Sequence, residues 1–304
     1  MKEKPLLVGL GEVLWDLLPA GKRLGGAPAN FAYHADAQGG RGVVASCVGD
    51  DPLGQEIVDQ LRQLGLTTDY VALDPDHPTG TVSVELDEHG KPTYVIHHPV
   101  AWDFIPSQPE LLALAETTDV VCYGSLAQRS STSRETIQAF LARVPKESLR
   151  IFDINLRQEY YDQEIITDSL KAASILKLND EELPVVARMF MIPLPESVLD
   201  REGEEEENAA LRILLERFNL DLIALTKGSA GAKLVTAREV ASHPGVPVEV
   251  VDTVGAGDSF TAAMAIGLLE GRDLITILNR ASRIAAFVCS SRGATPSYEG
   301  TSFC

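Results

Sequence analysis

Near the carboxyl end of the 304-residue chain, the residues Val250-Val251-Asp252-Thr253-Val254-Gly255-Ala256-Gly257-Asp258-Ser259-Phe260 suit one kind of chemistry. Gly255 and Gly257 permit backbone conformations that other residues reach only with strain, and they leave the first amides of a following helix uncovered. With the positive end of the helix dipole behind them, such amides suit a phosphate group. Asp258 sets a carboxylate at the mouth of that pocket. Its charge repels a phosphate, so it is costly as decoration and useful as a base for an incoming hydroxyl. A blander alternative stands beside this one, in which Asp258 caps the helix and the glycines close a turn.

The elements around this stretch must place it. Val250 and Val251 lead in, and Ala262, Met264, Ile266 and Leu268 follow, which reads as an extended segment turning sharply into a buried helix that stops at Gly271. At the other end, Pro5 to Gly11 reads as a buried first strand. Gly9 and Gly11 lack the third glycine of a dinucleotide fingerprint, because Leu14 holds that place, and no P-loop string occurs anywhere. Glu12 to Leu18 alternates. Gly25-Gly26-Ala27-Pro28-Ala29-Asn30 then starts a helix with Pro28 in its first turn. Asp16 and Asn30 offer a carboxylate and an amide able to grip adjacent sugar hydroxyls, or else a surface position and a cap. Val43 to Val48 is a further strand. Asp51 and Pro52 open a helix with Leu53, Ile57, Leu61 and Leu64 on one face.

Thr81 to Asp87 alternates, and after Glu88-His89-Gly90-Lys91 the chain resumes as Thr93 to His97, a hairpin with one apolar face. Together 13–24 and 79–105 form a small antiparallel lid able to exclude water from a transfer reaction, the alternative being a peripheral hairpin. His97-His98 has no partners at metal spacing. From Asp119 onward strands and helices alternate: 119–124, a helix over 131–144, 150–155, a helix to about Ala173, then 174–178 and 222–226. That repeat predicts an α/β fold, a mostly parallel sheet flanked by helices on both faces, with ligands at the carboxyl ends of the strands.

Polar residues fall at those ends. Asp153, Asn155 and Arg157 follow one strand, and Arg157 can hold an acidic substrate, the transferred phosphate or only an ion-pair partner. Asn179-Asp180-Glu181-Glu182 follows the next and makes a capping box, Asn179 as cap and Glu182 reaching back. Thr226 and Lys227 supply a hydroxyl and a charge before Gly228 and Gly231, which a plain hairpin explains equally well. The glutamates of Glu202-Gly203-Glu204-Glu205-Glu206-Glu207 read as a solvated loop without chemistry before a helix carrying Leu211, Leu214 and Leu215.

Composition is ordinary for a globular chain, 45% apolar and 23% charged, and 304 residues fit one large domain, 1–304, with the lid inserted in it. No apolar run is long enough to cross a bilayer and no signal-peptide pattern opens the chain, so the expectation is a cytoplasmic protein. Cys47, Cys122, Cys289 and Cys304 form no C-x-x-C pair; they read as core fillers, with Cys304 a free tail thiol. A formal charge of -18 repels nucleic acid and anionic membrane. It repels ATP as well, so a nucleotide site must build its own positive potential from amides, a metal ion and a few lysines.

The string Asp252-Thr253-Val254-Gly255-Ala256-Gly257-Asp258 resembles the signature of the ribokinase-like, PfkB-type carbohydrate kinases. The Gly25-Gly26 to Asn30 element, Ala101-Trp102-Asp103 and Asp153-Ile154-Asn155-Leu156-Arg157 extend the resemblance over 5 to about 298, and most resemble fructokinase. The resemblance implies a ribokinase-like fold with its β lid, and ATP-dependent transfer of the γ-phosphoryl group to a hydroxymethyl group, most closely that of fructose. It implies Asp258 as base and an anion hole from Gly255, Ala256 and Gly257. It implies a sugar site of Asp16, Gly26, Asn30, Trp102, Asn155, Arg157 and Asp258, and a nucleotide site of Lys177, Asn179, Thr226, Lys227, Gly228, Gly231, Gly255, Gly257, Asn279 and Arg283, where Ala286 and Phe287 help close over the adenine. Magnesium, organised through water by Glu182, and potassium or another monovalent cation held by Asp252, Val254, Val288, Ser291, Gly293 and Ser297 complete the set, along with a homodimer through the lid. A 2-keto-3-deoxygluconate kinase is the neighbouring alternative. A catalytically silent, sugar-responsive regulatory module and a nicotinamide dehydrogenase are the distant ones; the intact Asp258 and glycines oppose the first and the missing fingerprint opposes the second.

Overall fold

A computed structural model describes residues 3–18, 21–86, 92–195 and 203–301; Cys304, the expected hairpin connection over 87–91 and Glu202 lie outside the described residues. The strands are β1 (Leu6–Leu10), β2 (Leu14–Leu18), β3 (Gly21–Gly25), β4 (Arg41–Gly49), β5 (Val71–Asp74), β6 (Thr81–Leu86) and β7 (Pro92–Ile96). They continue with β8 (Val120–Tyr123), β9 (Leu149–Asp153), β10 (Ile175–Asn179), β11 (Leu222–Thr226), β12 (Ala232–Val235) and β13 (Val240–His243). The helices are α1 (Ala27–Ala37), α2 (Pro52–Gln63), α3 (Pro109–Ala115), α4 (Ser131–Leu141), α5 (Gln163–Ala172), α6 (Glu182–Met189), α7 (Glu204–Phe218), α8 (Ala256–Leu269) and α9 (Leu274–Cys289).

Nine strands form one sheet in the order β13-β12-β11-β10-β9-β8-β1-β4-β5. Its strands run parallel from β11 to β5, and β12 and β13 turn back antiparallel. β1 is buried along its whole length because both sides of the sheet are covered, which is why it reads as an unbroken apolar run. Successive side chains divide between two cores: Leu6, Val8 and Leu10 pack with α3 to α7, while Leu7 packs with Phe31 of α1 and with α8 and α9. A Cβ on Gly9 would strike the carbonyl of Pro28, so this glycine serves the close seating of α1 on β1 and not a nucleotide turn.

The second sheet, β3-β2-β6-β7, joins two antiparallel hairpins through a parallel β2–β6 pairing. Trp15 of β2 and Ala29 of α1 share a third core with Ile57 and Leu61 of α2.

Two expectations need correction. The lead-in of Val250 and Val251 joins neither sheet and is exposed despite its apolar side chains; the local ties are Val251 N and Asp252 N donating to the Cys289 carbonyl at 2.8 and 3.2 Å. The sheet already ends at β13, so this segment crosses the end of α9. Glu204 to Glu207 are not loop but the first turn of α7, where carboxylates favour the helix dipole.

Candidate active site

The polar residues at the carboxyl ends of the strands converge on the start of α8. Gly255 caps that helix with φ 81°, a left-handed conformation, and a Cβ there would lie 2.6 Å from the Ala294 carbonyl oxygen. The first α-helical bond is Ser259 N to Gly255 O at 2.9 Å, and the Ala256 amide leans on the Thr253 carbonyl at 3.3 Å. The amides of Gly257 and Asp258 therefore form the open part of the anion hole.

A second source of positive charge lies beneath it. Period two along β9 and β10 turns Asp153 and Lys177, register partners, toward the α8 side of the sheet. The Lys177 ammonium is buried 3.0 Å from where a Gly257 Cβ would stand, and it donates to Asp153 Oδ1 at 3.0 Å. Burial works against that ammonium, but the Asp153 and Glu182 charges hold its pKa above the usual lysine value. Thr261 donates to the other Asp153 oxygen at 3.1 Å. Lys177 thus lies directly below the hole, where its charge can reach an anion.

Asp258 is half-buried at the cleft and accepts a 2.8 Å bond from Asn30 Nδ2. Loss of water, then the nearby Asp153, raises its pKa to about 6; the Asn30 bond, Lys177 and Arg157 pull the other way. A carboxylate poised there suits proton acceptance near neutrality. Asn30 itself is 3% exposed, and its Oδ1 has no partner. Beside it stands Glu12, a residue the sequence reading passed over. It is 3% exposed with Oε2 unpartnered, and burial raises its pKa to about 7. Two orphaned acceptors beside a raised carboxylate call for a ligand rich in hydroxyl donors.

The remaining sugar-side candidates fall unequally. Gly26 has φ 112°, and a Cβ there would sit 2.5 Å from the Glu12 carbonyl oxygen. Asp16 is half-buried, its pKa raised by burial and lowered by Arg157 and Arg23. Asn155 takes φ 44°, while Arg157 is exposed, donating to the Leu156 carbonyl at 3.1 Å and making no ion pair among the described residues. Trp102 differs from the expectation: it is fully buried, with the Arg129 guanidinium 3.9 Å from its ring centroid, so it backs the wall and offers no surface.

On the other side of the anion hole, Asn179 and Glu182 form the reciprocal box. Asn179 Oδ1 accepts from Glu181 N and Glu182 N at 2.9 and 2.8 Å, and Glu182 Oε2 accepts from Asn179 N at 2.8 Å. Glu182 Oε1 accepts from Leu156 N at 3.0 Å, so each oxygen keeps one lone pair. Thr226 stands opposite Asn179 in register. Lys227 is tied to Glu207 at 2.6 Å, and Lys233 reaches the same carboxylate at 2.9 Å. Glu207 is 3% exposed, so this glutamate has a structural use that its sequence context hid. Gly231 abuts the His243 carbonyl, which the hairpin alone demands, whereas Gly228 lies open at φ 51°. A cleft of about 250 Å³ lined by Lys227, Ala230, Lys233 and His243 opens here. Asn279 and Arg283 lie on the exposed face of α9.

Among the residues expected to hold a monovalent cation, the one carboxylate is already paired with a cation of the chain. Asp252 Oδ2 accepts from Arg23 Nη1 at 2.6 Å and from Gly293 N at 3.2 Å, and Oδ1 accepts from Val254 N at 3.1 Å. The Val288 carbonyl takes Ser291 N at 3.0 Å, the Ser291 hydroxyl donates to Phe287 O at 3.1 Å, and Ser297 is exposed.

Residues 20–300 match the pfkB family carbohydrate kinase. The chain belongs to that family. It is a phosphotransferase acting on an alcohol group of a sugar. A fructokinase of Klebsiella pneumoniae is 32% identical over 271 residues, 85% of this chain and 83% of that one. The structure of a sugar kinase from Pyrococcus horikoshii in complex with ATP superposes with TM-score 0.77 at 27% identity over 95% of this chain and 94% of the other. A fructokinase from Vibrio cholerae in fructose, ADP and potassium ion bound form gives TM-score 0.78 at 24% identity over 97% and 94%. This kinase has no helix among the described residues long and apolar enough to cross a membrane.

Proposed function

We propose that this sugar kinase is an ATP-dependent fructokinase. The observation that carries the choice of a neutral sugar is the surplus of acid around the acceptor pocket. Glu12, Asp16 and Asp258 gather there, and the positive charges that oppose them are those of Lys177, Arg157 and Arg23. A carboxylate-bearing substrate is repelled by such a pocket, while hydroxyls find acceptors in Asn30 Oδ1 and Glu12 Oε2. The relatives named fructokinase support the same reading.

In the reaction, Asn30 orients Asp258, which takes the proton of the attacking hydroxymethyl group. The sugar oxygen bonds to the γ-phosphorus as the bond to the bridging oxygen breaks and ADP leaves. The Gly257 and Asp258 amides, with Lys177 below, stabilise charge growing on the phosphoryl oxygens. Magnesium, when bound with ATP, neutralises phosphate charge, and the free lone pairs of Glu182 are suited to a water in its shell.

One observation favours 2-keto-3-deoxygluconate instead: Arg157 is exposed without an acidic partner within ion-pair distance among the described residues. A coupled ADP-release assay over ketoses, aldoses and keto-acids tests the choice. Fructose is expected to give the highest kcat/KM; a preference for the keto-acid, abolished by Arg157→Ala, would overturn it.

A further inference from the structure

Asp252 opens the anion-hole string and fastens it: one oxygen holds the Val254 amide, and the other holds the Gly293 amide from the loop whose next residue, Ala294, packs against Gly255. Against burial, the two amides hold the Asp252 carboxyl below the usual carboxylate range, and a positive partner adds to them. Relatives of this fold are expected to supply a monovalent cation. Here the partner is already part of the chain: Arg23 Nη1 lies 2.6 Å from Asp252 Oδ2, an ion pair across 229 positions of sequence. Arg23 is also the register partner of Asp16 on the neighbouring strand, and its charge offsets part of the rise that burial gives the Asp16 pKa. One guanidinium therefore stands between the sugar-side carboxylate and the loop that shapes the hole.

We propose that Arg23 takes the place of the activating monovalent cation, so that this kinase is indifferent to potassium. The guanidinium carries the same unit charge as an alkali ion and meets the same carboxylate. A second cation beside that carboxylate would face like-charge repulsion from the guanidinium. Arg23 is a positioning residue: it acts on the reaction through Asp252 and Gly255 and touches no reacting atom.

The inference rests on the phosphoryl-transfer reading, and its test includes a measurement that needs no turnover. Melting temperature and sugar-dependent ADP release are compared in potassium, sodium and choline chloride at equal ionic strength for the natural protein, Arg23→Met and Arg23→Lys. The natural protein and Arg23→Lys should be indifferent to the cation in both measurements. Arg23→Met should lose about tenfold in kcat in choline, regain most of it in potassium, and acquire a potassium-specific rise in melting temperature. Potassium-specific activation or stabilisation of the natural protein overturns the proposal. So does an Arg23→Met variant as active and as cation-indifferent as its parent.

Discussion

On the acceptor side of the cleft, Asn30 and Glu12 are each 3% exposed and Asp258 is held by a 2.8 Å bond, whereas on the nucleotide side Asn279 and Arg283 are exposed. The first side is built from buried side chains with orphaned oxygens. The second uses hairpin backbone and a lysine tied to Glu207. Buried polar groups left unpaired penalise any ligand that fails to satisfy them, so discrimination belongs to the acceptor side. On the proposed reading, substitutions along the open wall should change nucleotide affinity only in small increments.

The contrast breaks first, if it breaks, at Asp258. Asp258→Asn should lower kcat by about 10³-fold or more while sugar binding, measured calorimetrically, persists. The same change should raise neutral-pH stability by about 1–2 kcal/mol in urea melts, allowing for water at the cleft mouth. The sign follows from the raised pKa: the folded state favours the protonated acid, so its stabilisation is complete below the unfolded carboxylate pKa and lost as pH climbs through about 6. Asn30→Ala should cost roughly 10²-fold in kcat/KM for sugar, with little change in KM for ATP. Glu12→Gln removes an acceptor while keeping its shape, and sugar KM should rise about tenfold. Smallest is Lys227→Ala, for which a few-fold rise in KM for ATP and an unchanged sugar KM are expected, since its charge is shared with Glu207. A Lys227 effect larger than that of Asn30 would invert the assignment of the two walls.

Much of this was legible in the sequence where function depends on local chemistry. The Gly255 turn, the Asp51 cap and the Asn179–Glu182 box each lie within a few residues, so spacing alone sets their geometry. The polar ends of the parallel strands followed from the alternation of strands and helices. What stayed hidden is long-range. Arg23 with Asp252, Asn30 with Asp258, and Lys227 with Glu207 are joined only by the fold. Asp153 and Lys177 did leave a trace, a charge at the inward end of two apolar strands, which alternation along β9 and β10 assigns to the α8 face. Trp102 shows the opposite error: a position carried over by resemblance proved to be enclosed behind Arg129.

The base itself is tested most directly by kcat at saturating sugar and ATP across pH, where the Glu12 contribution to sugar KM drops out, in the natural protein and in Asp258→Asn. With the Asp258 pKa at about 6, the natural protein should lose activity with unit slope as pH falls below that value, and the residual activity of the variant should show no such break. A natural profile that stays level well into the acid range, or a variant that keeps the same break, would contradict the assignment of Asp258 as the proton acceptor.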